Sequence, residues 1–274
     1  MLKIGIRAHD VGKMPLDELL KQVKELGFLN IQLVIYKTLP KEDGFLDKEK
    51  ALKYRNILSK YNVNVAMLGD YFNPVHSNKE LLNYMIKRFK NNLEFCNYLG
   101  TKNVGTETGS YNDDEWTYNP KNHTEEAYDE ALKIFKNLVD YAEIYDSNVV
   151  IEGAYNHVIY NPKTLRRFVD DIGKKNVKVT IDLFNFLNIN NHEKRYEILE
   201  ECLNLFKDEI VNFHLKDYQV IDNKLVQVGL GQGLMDYPKI IKMIKEKVSD
   251  AYLIFEGITG DNIKTSLSLI KSLI

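Results

Sequence analysis

The chain has 274 residues, of which 44% are hydrophobic and 28% charged, and its formal net charge is −2. Those values suit a soluble globular protein with a large core, and they leave no basic field that would hold nucleic acid nonspecifically. Two cysteines without a CxxC argue against a disulfide framework or a thiolate zinc site, and no run of about 18 apolar residues is present to span a membrane. The start, Met1 to Arg7, lacks the apolar stretch of a signal peptide.

In chain order, the first expected strand is Lys3–Ala8. Arg7 and His9 lie at its end, where either could close a sugar pocket, and the Arg7–Gly12 turn lacks GxGxxG. Leu16, Leu19, Leu20, Val23 and Leu26 then follow helical spacing, with Pro15 at the first turn and Gly27 as the stop. Asn30–Ile35 and Val63–Leu68 are the next strands, followed by coil over Thr38–Asp47 and Asp70–Asn78. The second coil holds Asn73 and His76 where a lid is expected. Cys96 falls in a helical stretch stopped by Gly100. Cys96 and Cys202 are both expected to be buried free thiols in a reducing cytoplasm.

Asn103–Thr106 is the fourth strand and closes on Glu107. Glu107 would face inward with Gly105, as a substrate ligand or a structural carboxylate. The loop Thr108–His123 carries Tyr111 and Trp116 as candidate apolar walls, and Thr124 before Glu125 and Glu126 reads as an N-cap. The last four strands are Asn148–Ile151, Lys178–Ile181, Val211–Leu215 and Leu253–Phe255. They bring Glu152, Asp182, His214 and Glu256 to strand ends. His157 and Pro162 follow the fifth strand and Asn185 the sixth. Lys216 follows the seventh, as an inward cation or a partner of Asp217. Gly229–Gly233, before a helix starting near Asp236, has the form of a phosphate cradle or a tight turn.

Eight strands alternating with eight helices predict one (β/α)8 TIM barrel over residues 1–274; an open doubly wound sheet is the alternative. Parallel barrel strands end at one face. Side chains two apart share a direction, so Glu152 follows Val150, Asp182 follows Thr180, His214 follows Asn212 and Glu256 follows Ile254 into the barrel mouth. Three carboxylates and an imidazole converging there would repel without a cation. The oxygen-rich set suits one divalent metal, Mn2+ first, with Mg2+, Co2+ or Zn2+ also able to fit. Such a metal could stabilise an enediolate while Glu152 and Glu256 exchange a proton on opposite faces of the substrate.

Tyr71-Phe-Asn-Pro74 with His76, Thr106-Glu-Thr-Gly109, Ile151-Glu-Gly153, Ile181-Asp-Leu-Phe-Asn185, Phe213-His-Leu-Lys-Asp217, Gly229-Leu-Gly-Gln-Gly233 and Phe255-Glu-Gly257 resemble the xylose isomerase-like TIM barrels. That group includes sugar phosphate isomerases and ketose 3-epimerases, and the resemblance covers essentially the whole chain. It implies that Glu152, Asp182, His214 and Glu256 bind the metal and that Glu152 and Glu256 are catalytic. It also implies a small-molecule sugar or sugar phosphate as partner and an isomerase or epimerase as activity, with dimers or tetramers common. Many members carry histidine where this chain has Asn185, which can still hydrogen-bond substrate but cannot titrate. Lys216, His157, Glu107 and His9 complete the candidate substrate contacts. An inosose-type dehydratase would use the same metal and first step. An apurinic endonuclease of the endonuclease IV type would need more histidines than the six present and a less acidic surface.

Overall fold

The alternating runs close into a cylinder in the computed structural model, which describes residues 1–274. Eight parallel strands form the barrel: β1 (Leu2–Arg7), β2 (Asn30–Leu33), β3 (Asn64–Gly69), β4 (Asn103–Glu107), β5 (Asn148–Glu152), β6 (Val177–Asp182), β7 (Ile210–Leu215) and β10 (Ala251–Phe255). The order around the cylinder is β1, β10, β7, β6, β5, β4, β3, β2, which is chain order with both ends joined. Eight longer helices alternate with them: α2 (Leu16–Glu25), α4 (Lys48–Tyr61), α5 (Lys79–Phe95), α6 (Glu125–Ile144), α7 (Pro162–Ile172), α8 (Arg195–Phe206), α9 (Tyr237–Lys247) and α10 (Asn262–Leu273). Two four-residue turns, α1 (Ala8–Val11) and α3 (Ile35–Thr38), follow β1 and β2. The expected strands Lys3–Ala8 and Asn30–Ile35 therefore end one and two residues early, because each chain turns into helix at the barrel rim.

The local signals act as the sequence suggests. Thr124 caps α6 by accepting from Ala127 N–H at 3.3 Å, Pro162 opens α7, and Gly100 takes φ 82° to end the turn after α5. Leu19, Leu20 and Val23 on α2 are fully buried against the strands. A cluster of 69 buried residues fills the layer between the sheet and the helices. Inside the cylinder, Val150, Thr180, Asn212 and Ile254 are buried, each two residues before the strand-end residue of its own strand. The interior needs small neighbours there, since a Cβ on Gly105 would meet Met67 Sδ at 2.3 Å.

One element is absent from the sequence reading. Between β7 and α9 the chain forms an antiparallel hairpin of β8 (Asp217–Ile221) and β9 (Lys224–Val228), outside the barrel sheet. Its two-residue turn, Asp222 and Asn223, takes φ 48° and 60°. That is the left-handed pair a tight hairpin needs, and residues of this type were the available signal. No helix is long and apolar enough to cross a membrane.

Candidate metal centre

The strand ends bring Glu152, Asp182, His214 and Glu256 together. One ligand atom from each can be chosen so that all lie within 4.8 Å of one another. Asp182 and His214 are register partners on β6 and β7. Glu152 pairs with Thr180, and His214 with Ile254, so the stagger of the barrel lifts Asp182 and Glu256 one step above their neighbours. The His214 and Asp182 side chains are fully buried, Glu152 is nearly so, and Glu256 faces the cavity with 13% of its side chain exposed.

The electrostatics of this group are unresolved from within. His214 Nδ1 lies 2.7 Å from Glu256 Oε2, 3.2 Å from Glu152 Oε2 and 3.9 Å from Asp182 Oδ2. Yet Nδ1, Glu256 Oε2 and Asp182 Oδ2 are all buried and none has a partner in hydrogen-bonding geometry. Burial pushes Asp182 up to about 6, and it also raises Glu152 although His214 stands beside it. For His214, burial disfavours the charged ring, but Glu152 and Glu256 outweigh it and push the group up to about 10. Burial likewise opposes the charge of Glu256, but Lys216, His214 and Arg7 hold it well below the usual carboxylate range. Three oxygens and a nitrogen turned on one point, with orphaned lone pairs, fit a divalent cation of the hard or borderline type.

The surrounding residues sort themselves by contact. Lys216 does not pair with Asp217. Its Nζ reaches into the cluster, 2.8 Å from Asp182 Oδ2 and 2.9 Å from Glu256 Oε1, and donates to Asn185 Oδ1 at 3.0 Å. Asn185 in turn donates to Glu152 Oε1 at 2.7 Å, so its amide orientation is fixed from both sides. Arg7 Nη1 lies 2.7 Å from Glu256 Oε1, and Asp10 holds the other edge of the guanidinium. Glu107 is the register neighbour of Glu152 and lines the cavity. Burial and nearby Glu256 push it up to about 7. His157 stands 3.9 Å from Glu107 Oε1, its Nδ1 unpartnered, with burial holding it down at about 4. Trp116 packs edge-on against the His157 ring at 5.3 Å and walls the cavity on both sides.

Three other expectations resolve differently. His9 is not part of the cavity lining; it lies in α1 with Nδ1 buried and unpartnered. Tyr111 turns away to bond Glu130 at 2.9 Å. The Gly229–Gly233 run cradles an anion that the chain itself provides. The N–H groups of Gly231 and Gly233 donate to Asp217 Oδ2 at 2.9 and 3.0 Å, and those of Tyr218 and Met235 to Oδ1 at 2.8 and 3.0 Å. Asn73 ties the third loop to the fourth through Ser110 O and Asp113 O, and both Asn73 and His76 line the cavity. Gln32 was missed. It is the lone polar side chain in the apolar run Ile31–Val34, which was the available signal. Its Oε1 lies 2.6 Å from His214 Nε2.

Two cavities beside the cluster share Glu107 and Trp116 in their walls, and of the four cluster residues Glu256 alone lines one of them. One, of about 560 Å³, is walled by Tyr155, Asn156, Asn188 and the hairpin residues Asn223–Leu225. The other, of about 330 Å³, holds Arg7, Lys37, Tyr71 and Glu256. Aromatic faces with interspersed amides suit a polyhydroxylated ligand.

A family model described as xylose isomerase-like TIM barrel matches residues 20–273. Among solved structures, a D-tagatose 3-epimerase-like protein superposes with a TM-score of 0.77 at 18% identity, covering 99% of this chain and 96% of its own. A xylose isomerase-like TIM barrel protein from Mycobacterium smegmatis in complex with magnesium gives 0.74 at 16% identity, with coverage of 99% and 94%. The probable 3-DHS dehydratase from Bacillus anthracis gives 0.74 at 14%, with coverage of 98% of each chain. At these identities the likeness is one of fold. No curated protein matches the sequence.

Proposed function

The chain belongs to the xylose isomerase-like TIM barrel family, and from that premise we propose that it is a divalent-metal-dependent epimerase or isomerase of a ketose. The observation that carries the reading is the convergence, beside Glu152, of Asp182 Oδ2, His214 Nδ1 and Glu256 Oε2, all buried and none in hydrogen-bonding geometry, with the Lys216 ammonium beside Asp182 Oδ2. Glu152, Asp182, His214 and Glu256 would hold the ion, for which the oxygen-rich set favours Mn2+. A metal bound there would supply Lewis-acid stabilisation of the substrate's carbonyl oxygen.

The proton chemistry belongs to the chain. Glu152 and Glu256 come from strands on different sides of the mouth, so one can take the proton from the carbon next to the carbonyl and the other can return one to the opposite face. Asn185 fixes Glu152 through Oε1, and Arg7 with Lys216 fixes Glu256 through Oε1. Each glutamate thus has its Oε1 anchored and its Oε2 turned toward His214 Nδ1 in the cluster. Lys216 is placed to offset negative charge that develops on a substrate oxygen. Glu107, His157 and Asn185 are assigned to the substrate's hydroxyls. Because Asp217 already fills the glycine cradle, an unphosphorylated ketose is the preferred substrate. Two buried free cysteines suit a reducing compartment such as the cytoplasm.

The test is deuterium exchange. The Mn2+-loaded protein is incubated in D2O with a panel of ketoses, ketose phosphates and inososes, and incorporation next to the carbonyl is read by NMR. Exchange with an epimerised or isomerised product supports the proposal. Exchange followed by loss of water would make the protein a dehydratase, and no exchange by any compound would sink the reading.

A further inference from the structure

His214 uses one ring nitrogen toward the carboxylates, and the other is taken by a residue from across the barrel. Gln32 is fully buried on β2, which is not a sheet neighbour of β7. Its Oε1 sits 2.6 Å from His214 Nε2, and its Nε2 donates to Tyr71 Oη at 2.6 Å. The polarity of this chain is set at its metal end. An ion on Nδ1 requires that nitrogen bare, so Nε2 carries the proton and donates to the Gln32 carbonyl. Gln32 then presents its N–H groups to Tyr71, whose oxygen becomes an acceptor. The Tyr71 hydroxyl proton is left over. Tyr71 lines the smaller cavity together with Glu256, and its hydroxyl donates to no protein group.

We propose that Gln32 is a positioning residue that fixes His214 as a metal ligand, and that Tyr71, oriented by the same amide, is a catalytic residue donating its hydroxyl proton to a substrate oxygen. A preorganised donor beside that oxygen would stabilise charge that grows there during proton removal. The Tyr71 half rests on the epimerase reading; the Gln32 half needs only the metal.

The experiment uses the full-length protein, stripped with chelator and titrated with Mn2+, as wild type, Gln32→Met, Gln32→Glu and Tyr71→Phe. Gln32→Met keeps bulk but removes the acceptor, and it should weaken Mn2+ binding roughly 10- to 100-fold. Gln32→Glu keeps an acceptor for His214 and should hold affinity within about threefold. It cannot donate to Tyr71, however, so the hydroxyl turns toward the new carboxylate and away from substrate. Turnover of the exchanging ketose should therefore fall roughly 10²-fold in kcat in both Gln32→Glu and Tyr71→Phe, with Mn2+ affinity nearly unchanged in each. Unaltered Mn2+ binding in Gln32→Met overturns the positioning role. Wild-type kcat in either Gln32→Glu or Tyr71→Phe overturns the donor role. In the Zn2+-loaded wild type, long-range 15N NMR of His214 should read the proton on Nε2; a proton on Nδ1 overturns the proposal even if every variant misfolds. If the wild type exchanges no ketose, the Tyr71 role falls with the epimerase reading, while the Mn2+ isotherms still decide Gln32.

Discussion

Asp182 and Asp217 are both fully buried carboxylates at the mouth of the same barrel, one closing β6 and one just beyond β7. Asp217 accepts four backbone hydrogen bonds, two on each oxygen. Asp182 accepts one, from Asn185 N–H at 3.0 Å, and its second oxygen has an ammonium beside it but no hydrogen bond. Asp70, just past β3, resembles Asp217. Arg88 Nε donates to its Oδ1 at 2.8 Å, Asn92 donates to its Oδ2 at 2.8 Å, and the Arg88 guanidinium stacks over Tyr36. Burial alone therefore does not mark a working carboxylate. A satisfied one holds loops together, whereas an unsatisfied one, grouped with others of its kind, waits for a ligand.

The largest effect that would test this contrast is catalytic. Glu152→Gln and Glu256→Gln each remove a proton carrier while keeping shape, and each should lower deuterium exchange into the substrate by roughly 10⁴-fold, the upper end for general acid–base groups. Glu152→Gln should keep a urea midpoint close to wild type, whereas Glu256→Gln should unfold earlier, because Arg7 and Lys216 lose their carboxylate partner. If exchange survived in either variant, that glutamate would belong with Asp217 as a structural group.

Asp70→Ala should cost about 4 kcal/mol of stability, because it leaves the Arg88 guanidinium buried without its partner. Asp217→Ala should cost about 3 kcal/mol: four N–H groups lose their acceptor, and only some can rehydrate. Both are read by urea unfolding, and both proteins should still bind Mn2+. A cost below about 1 kcal/mol in either would mean that the bonds drawn to these oxygens hold nothing.

The sequence showed a good part of this. Period-two alternation along each strand was enough to place Val150, Thr180, Asn212 and Ile254 beneath the strand-end residue of the same strand, because register in a closed barrel leaves a strand no other way to face. Glycine stops and the Thr124 cap marked helix ends for local reasons that do not depend on the fold. What stayed hidden was satisfaction. The spacing Gly229-Leu-Gly-Gln-Gly233 is the same whether the cradled anion is a phosphate or Asp217, and only the fold of the hairpin brings that carboxylate within reach. Lys216 was legible as inward-facing, but its pairing with Asp182 and Glu256 rather than Asp217 depends on how the chain turns after β7. Gln32 could not be linked to His214 from sequence, since 182 residues separate them and they meet only across the closed cylinder.

The smallest predicted effect has the opposite sign. Asp182→Asn keeps the shape and can keep the bond from Asn185 N–H, but it removes one charge from a buried group that already contains Glu152 and Glu256. Burial holds the Asp182 carboxyl at about 6, so in the metal-free protein at pH 8 its ionised form is a liability to the folded state. Removing that charge should raise stability by about 1 kcal/mol, as relief of an unsatisfied site commonly does. Mn2+ at a hundred times its dissociation constant should then stabilise the wild type by about 2.7 kcal/mol. The variant, with one ligand oxygen lost, should gain much less, so the order of the two melting curves should invert on adding metal. The same titration on Asp217→Ala should shift that variant in parallel with the wild type. Inversion for Asp182 alone would show that its cost in the empty site is tied to its role in the filled one. Asp182→Asn melting below the wild type both with and without Mn2+ would put Asp182 among the structural carboxylates, with Lys216 as its true partner.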